Sequence, residues 1–157
     1  MELSQVIQTI REKLPEAIVE ERPTGLVIKK ESLLALAKFL KESDLSFDNL
    51  HCVTGVDWKD KMEVVYHLYS FKNKIMLTLK VFVPLDDLAV ESLCGLWRSA
   101  DWLERETFDL FGIKFLNHPD PRRILNPEEW DYYPLRKSFT HPEFFPKPET
   151  PGLKGGA

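Results

Sequence analysis

Eight of the eleven prolines fall between Pro119 and Pro151, which limits where regular structure can lie. Proline fixes φ and lacks a backbone N–H, so roughly the last forty residues cannot supply a regular helix or a central strand. A proline-rich end is ordinarily a flexible linker. This one also holds Phe115, Ile124, Leu125, Trp130, Tyr132, Tyr133, Leu135, Phe139, Phe144 and Phe145, more apolar area than a free strand keeps in water. Something must cover these side chains. Only the closing PGLKGGA reads as dispensable.

Regular structure is therefore expected upstream, and 157 residues with 43% hydrophobic content are enough for one core. Leu3, Val6, Ile7, Ile10 and Leu14 recur at helical spacing before Pro15, predicting an amphipathic helix with a stop. AIVEE and LVIKK flank the turn-forming RPTG as a short hairpin. Leu33, Leu36, Ala37 and Leu40 share one face of a second helix ending near Ser43. LHCVTGVDW reads as a strand. EVVYHLYSF and IMLTLKVFV read as an antiparallel pair joined at Asn73, with Val64, Tyr66 and Leu68 on one face and Val65, His67 and Tyr69 on the other. Pro84 ends the last strand, and Asp86 or Asp87 is expected to cap a helix containing Leu88, Leu93, Leu96, Trp97 and Ala100. Strands bracketed by helices without βαβ alternation predict an α+β fold, helices packed on a mainly antiparallel sheet. The division is an α+β domain over 1–112, ending in the helix that carries ERE, and an extended C-terminal partner-binding tail over 113–157.

Several chemistries find little support. A net charge of −4 gives no global attraction to polyanions or anionic lipid. Cys52 and Cys94 are far apart, which argues against a disulfide framework and fits a reducing cytosol. Cys94 is expected mid-helix as a small buried hydrophobe. His51, His67, His118 and His141 are scattered singly, without HExxH or HxH spacing, so a metal centre is not expected. There is no GxSxG, phosphate loop or GxGxxG. No basic signal segment opens the chain, and Lys80 interrupts the longest apolar run, so neither export nor a membrane span is expected.

Glu104, Glu106 and Asp109 could suggest an acid/base set, but Glu104 and Glu106 lie on different helix faces, and Arg105 with Asp109 at i,i+4 is expected to form a pair. Structural pairing or partner contact is the stronger reading. Arg122, Arg123, Arg136 and Lys137 among Trp130, Tyr132 and Tyr133 raise a nucleic-acid possibility. Seven basic and six acidic residues from Gly112 onward leave no electrostatic funnel, so a protein interface is favoured.

One long, gap-sensitive pattern goes further. Glu104, Arg105 and Glu106, then Asp109, Leu110 and Phe111, then His118, Arg122, Ile124 and Leu125 resemble the signature of the C subunit, the 30-kilodalton subunit, of NADH:quinone oxidoreductase, respiratory complex I. Pro134 to Lys137, PLRK, is similar to that family's closing motif, and DNLHCVTGVDW to its first central strand. Pro121 stands where the family commonly has leucine, and Tyr133 where a histidine usually precedes PLRK. The resemblance spans essentially the whole chain.

The resemblance implies a non-catalytic assembly subunit in the peripheral arm of a proton-translocating enzyme, on the cytoplasmic side of the membrane. Its tail would wrap the hydrogenase-like large (D) subunit near the quinone site. It would bind no cofactor itself, with FMN, iron-sulfur clusters and quinone elsewhere in the complex. Expected partner contacts are Glu104, Arg105, Glu106, Asp109, His118, Arg122, Arg123, Arg136 and Lys137, with Trp130 and Tyr133 as anchors. The same module serves energy-converting membrane-bound nickel-iron hydrogenases, formate hydrogenlyases and deazaflavin-dependent dehydrogenases, so the signature leaves the electron donor open.

Overall fold

Helix α1 (Leu3–Lys13) forms where apolar residues recur every three or four positions, and it buries Val6 and Ile10. These elements come from a computed structural model that describes residues 2–140; His141, Phe144, Phe145 and PGLKGGA lie outside the described residues. Pro15 disfavours helical geometry at the residue before it, and α1 stops there with Arg11 and Lys13 at its negative end. Strands β1 (Ile18–Arg22) and β2 (Gly25–Ile28) form the expected hairpin, and α2 (Leu33–Glu42) buries Leu33, Leu36, Ala37 and Leu40 before ending at Ser43.

Three longer strands follow, β3 (Asn49–Asp57), β4 (Lys61–Ser70) and β5 (Ile75–Pro84). The sheet order is β1-β2-β5-β4-β3, antiparallel throughout except where β2 runs parallel to β5. Alternation decides the faces. Val64, Tyr66 and Leu68 are fully buried and join Leu77, Leu79, Val81, α1 and α2 in one core. His67 and Tyr69, on the opposite face, are only partly buried.

The helix expected over residues 86–100 does not form. A short 3-10 turn (Leu85–Asp87) leads into β6 (Ala89–Glu91), and α3 begins only at Ala100, running to Phe111. Cys94 accordingly lies in a turn, not mid-helix. The apolar side chains are nonetheless covered, with Leu93 at 0% and Trp97 at 5% exposure. Trp97 Nε1 donates to the Phe47 carbonyl at 3.2 Å, so the indole is buried without losing its hydrogen bond.

Helix α3 lies along β3, the outer strand of the sheet. The Ser99 hydroxyl, just ahead of the helix, bonds the Leu50 carbonyl at 2.9 Å, and Thr107 bonds that of Val53 at 3.3 Å, which masks an otherwise open edge. The contact is close because residue 55 is glycine: a Cβ there would lie 2.7 Å from the Phe111 ring. After α3 the chain stays on the body. Ile113 and Phe115 are buried in the core, and β7 (Lys114–Leu116) pairs in parallel with β6. Residues 117–140 contain no helix or strand.

Candidate functional site

The ERETFDLF stretch is the C-terminal part of helix α3, and its two inward carboxylates each fasten a different segment. Glu104 is completely buried. Its Oε1 accepts the Leu93 N–H at 2.7 Å and its Oε2 the Ser92 hydroxyl at 2.6 Å, with the Cys94 thiol at 3.5 Å. Ser92 Oγ in turn accepts the Cys94 N–H. The loop that replaces the expected helix is thus pinned onto α3. Burial pushes the Glu104 carboxyl above its ordinary range, against the opposing pull of Ser92, Leu93 and His118.

His118 sits beside this carboxylate with its side chain 2% exposed. Its Nδ1 faces the Asp120 N–H at 3.0 Å and must accept, which leaves the proton on Nε2, 3.1 Å from the Asp101 carbonyl. Donor atoms of Cys94, Glu104 and His118 come within 4.8 Å of one another. A cation there would have to displace the Nε2 proton, which cannot move to Nδ1 against the Asp120 N–H, and ionise a thiol that burial pushes up to about 11. The cluster is better suited to hydrogen bonding than to metal ligation.

Asp109, also at 0% exposure, is the second fastening point. Oδ2 accepts three successive backbone N–H groups, from Ile124 (3.0 Å), Leu125 (2.7 Å) and Asn126 (2.9 Å). Oδ1 accepts Arg123 Nη1 at 2.6 Å and Asn126 Nδ2 at 3.0 Å. Such a nest of amides holds a carboxylate tightly. Burial raises the Asp109 carboxyl, but the donors of Asn126, Arg123 and Leu125 outweigh it, and the group sits well below its ordinary 3.8. Arg123, its side chain 8% exposed, also bonds the carbonyls of Trp130 (2.6 Å) and Tyr132 (3.0 Å).

The expected Arg105–Asp109 pair is not made. Arg105 reaches instead to the carbonyls of Arg122 (3.1 Å) and Arg123 (3.2 Å) and lies 3.6 Å from Asp120. Arg122 is held bidentately by Asp120 at 2.7 and 2.8 Å, with its side chain 65% exposed. Further along, the guanidinium groups of Arg123 and Arg136 lie over the Tyr133 ring, 5.0 and 4.5 Å from its centre, and the ring is edge-on to Phe108. Arg136 Nε caps α3 at the Phe111 carbonyl, 2.6 Å away. Gly112, at φ 76°, makes this approach possible, since a Cβ there would collide with Arg136 Nη2 and the Tyr133 ring. The Lys137 N–H then bonds Asp57 Oδ2 at 2.7 Å.

Of the residues singled out in the sequence, Glu104, Arg105, Asp109, His118, Arg123 and Arg136 bond within the chain, Arg122 is paired with Asp120 yet exposed, and Glu106 faces water. Trp130 is half-buried, edge-on to Tyr132. Sequence reasoning misses Asp57, Ser92 and Asn126. Asp57 also accepts the Lys59 N–H at 2.6 Å, and the Asp-x-Lys turn after a strand is the one local hint.

The carboxylates give stability a defined pH dependence. Asp109 is held below 3.8, so the stability it lends is present above that value and lost as pH falls below it. Asp57 is lowered in the same direction, its amide bonds outweighing burial. Urea unfolding from about pH 7 to about pH 3 should show stability falling below about pH 4, with a shallower fall in Asp109→Asn. Equal slopes in the two proteins would contradict the assignment.

Residues 26–144 match the family described as "Respiratory-chain NADH dehydrogenase, 30 Kd subunit". The chain is 40% identical over 145 residues to the C subunit of the NADH-quinone oxidoreductase of Geotalea uraniireducens, covering 88% of each chain. It is 36% identical to the C subunit of the F(420)H(2) dehydrogenase of Methanosarcina mazei, covering 88% of this chain and 92% of that one. The solved trypsin-resistant fragment of Nqo5 superposes with a TM-score of 0.65 at 30% identity, covering 76% of this chain and 99% of the fragment. A chain of the membrane-bound sulfane sulfur reductase, an archaeal respiratory membrane complex, superposes with a TM-score of 0.72 at 26% identity, covering 87% and 85%.

Proposed function

The chain belongs to the family of the 30-kilodalton subunit of respiratory-chain NADH dehydrogenase, and on that premise we propose that it is a non-catalytic assembly subunit of a proton-translocating NADH:quinone oxidoreductase. In this reading it holds the hydrogenase-like large (D) subunit near the quinone site, on the cytoplasmic side of the membrane. FMN, iron-sulfur clusters and quinone belong to other subunits. Among the described residues no helix is long and apolar enough to cross a membrane, which fits peripheral attachment through the complex.

One observation carries the reading. Asp109 and Asp57 tie residues 123–137 to the body, yet Leu125 (64% exposed), Tyr132 (43%) and Leu135 (52%) face water from that fastened segment. Ordering a loose segment on binding costs several kcal/mol, and a segment already fixed avoids much of that cost. Fixed apolar groups left in water are what a permanent partner would bury.

Leu125→Asp, Tyr132→Asp and Leu135→Asp together should leave the fold intact, because none of the three side chains is buried. Co-purification with the large subunit should fall by about two orders of magnitude, the size expected for loss of central interface anchors. Undiminished recovery of the large subunit would refute the proposal. A second reading, the same role with another electron donor, is favoured by the relatives in F(420)H(2) dehydrogenase and sulfane sulfur reductase. Assaying the purified complex with NADH and with reduced deazaflavin separates the two.

A further inference from the structure

Asp57 brings two lysines together. Its Oδ1 accepts the Lys59 N–H and its Oδ2 the Lys137 N–H, so both side chains start from backbone fastened to one carboxylate. Arg136 completes the group, with its Nε on the Phe111 carbonyl and its face on Tyr133. All three cations line one cleft of about 290 Å³, with Leu85 and Asp57 also in its wall. Nearby, Arg123 is paired with Asp109 and Arg122 with Asp120. Among the described residues, the side chains of Lys59, Arg136 and Lys137 form no close ion pair; Asp57 is hydrogen-bonded by the two amides and feels the charges of Lys137 and Arg136 only at longer range.

We propose that this cleft, between the β3–β4 turn and Pro134–Ser138, receives an aspartate or glutamate carboxylate from a neighbouring subunit. Three cationic residues against one aspartate in the lining give a local excess of positive charge, and a guanidinium with two ammonium groups in one cleft suits a carboxylate. The walls select a side chain over a small anion. Leu85, in the wall, is 46% exposed, and Trp58, outside the lining but with Lys137 Nζ 5.9 Å above its ring, is 49% exposed. The methylenes of an acidic side chain would cover this apolar rim, whereas inorganic phosphate would leave it wet. The chain's net charge of −4 gives no wider field for a nucleic acid. The inference rests on the reading of the chain as an assembly subunit, and it adds where on the chain a partner's charge docks and what that charge is.

Carbodiimide coupling of the assembly that co-purifies with the native chain tests this, because the reagent joins an amine only to a carboxylate already beside it. Peptide mass spectrometry should find Lys59 or Lys137 linked to an aspartate or glutamate of another subunit. Lys59→Glu with Lys137→Glu, which keeps both backbone amides, should weaken recovery of that subunit about tenfold or more. Lys59→Ala with Lys137→Ala, carrying no repulsion, should give a smaller loss. Linkage only to the chain's own acidic residues, no linkage at all, or unchanged recovery of the Glu variant would overturn the proposal. If the partner still depends on Leu125, Tyr132 and Leu135 in those cases, only the anion cleft fails; if no partner co-purifies, the assembly reading itself fails.

Discussion

Asp109→Ala is expected to destabilise the fastened segment by about 3–5 kcal/mol, the usual consequence of removing one member of a buried, hydrogen-bonded charge pair. The alternatives open to the variant set this size. If residues 123–126 stay in place, the amides of Ile124, Leu125 and Asn126 lose their acceptor, each at about 1–3 kcal/mol if no water reaches them. Arg123 would keep the carbonyls of residues 109, 130 and 132 but no countercharge. Lifting the segment into water avoids those costs and gives up the contacts of Tyr133 with Phe108 and of Arg136 with the end of α3. Detachment is therefore the expected response. In hydrogen exchange, amides 124–126 and 137 should be protected in the parent and exchange freely in the variant, while those of β4 stay slow. Protection persisting at 124–126 would show that Asp109 does not hold the segment.

The same arithmetic explains why the sequence misleads at Asp109. An i,i+4 pair with Arg105 is worth a few tenths of a kcal/mol on an exposed helix. Hydrogen bonds to a charged group contribute about 1.5–3 kcal/mol, and Asp109 makes five with residues 123–126. The local pattern loses to a long-range one that no periodicity carries. The helix expected over 86–100 fails for a related reason. Leu88, Leu93, Leu96 and Trp97 have plausible helical spacing, but the Ser92 hydroxyl and the Leu93 amide bond to Glu104, and β6 pairs with β7 beyond α3. Elements governed by their own side-chain period, α1, α2 and the β4–β5 pair, are legible because alternation or helical repeat already specifies the buried face. The ERE signature locates the important helix. It does not reveal that Glu104 and Asp109 point inward from it to hold two different segments.

Glu104→Ala is expected to cost about 3 kcal/mol, since it leaves the Leu93 amide and the Ser92 hydroxyl without their acceptor and opens a cavity beneath α3. Glu104→Gln should cost only about 1 kcal/mol, because the amide oxygen can still accept from Leu93 while the NH2 group donates to Ser92 Oγ. The glutamine also removes a buried charge, and this fixes the sign of a pH effect. Burial raises the folded carboxyl of Glu104 above its ordinary 4.5, so its contribution to stability is fully present below that value and is lost as pH rises through the folded one. Glutamine does not titrate. Its deficit against the parent should therefore be largest near about pH 4 and shrink toward neutrality, while the alanine variant stays the weaker of the two throughout. Asp109 titrates alike in all three proteins and cancels from the comparison. Denaturant midpoints at acidic and neutral pH decide the matter: a glutamine deficit that grows with pH would mean that the Glu104 charge stabilises the fold, and that the anchoring of the Ser92–Cys94 loop depends on ionisation.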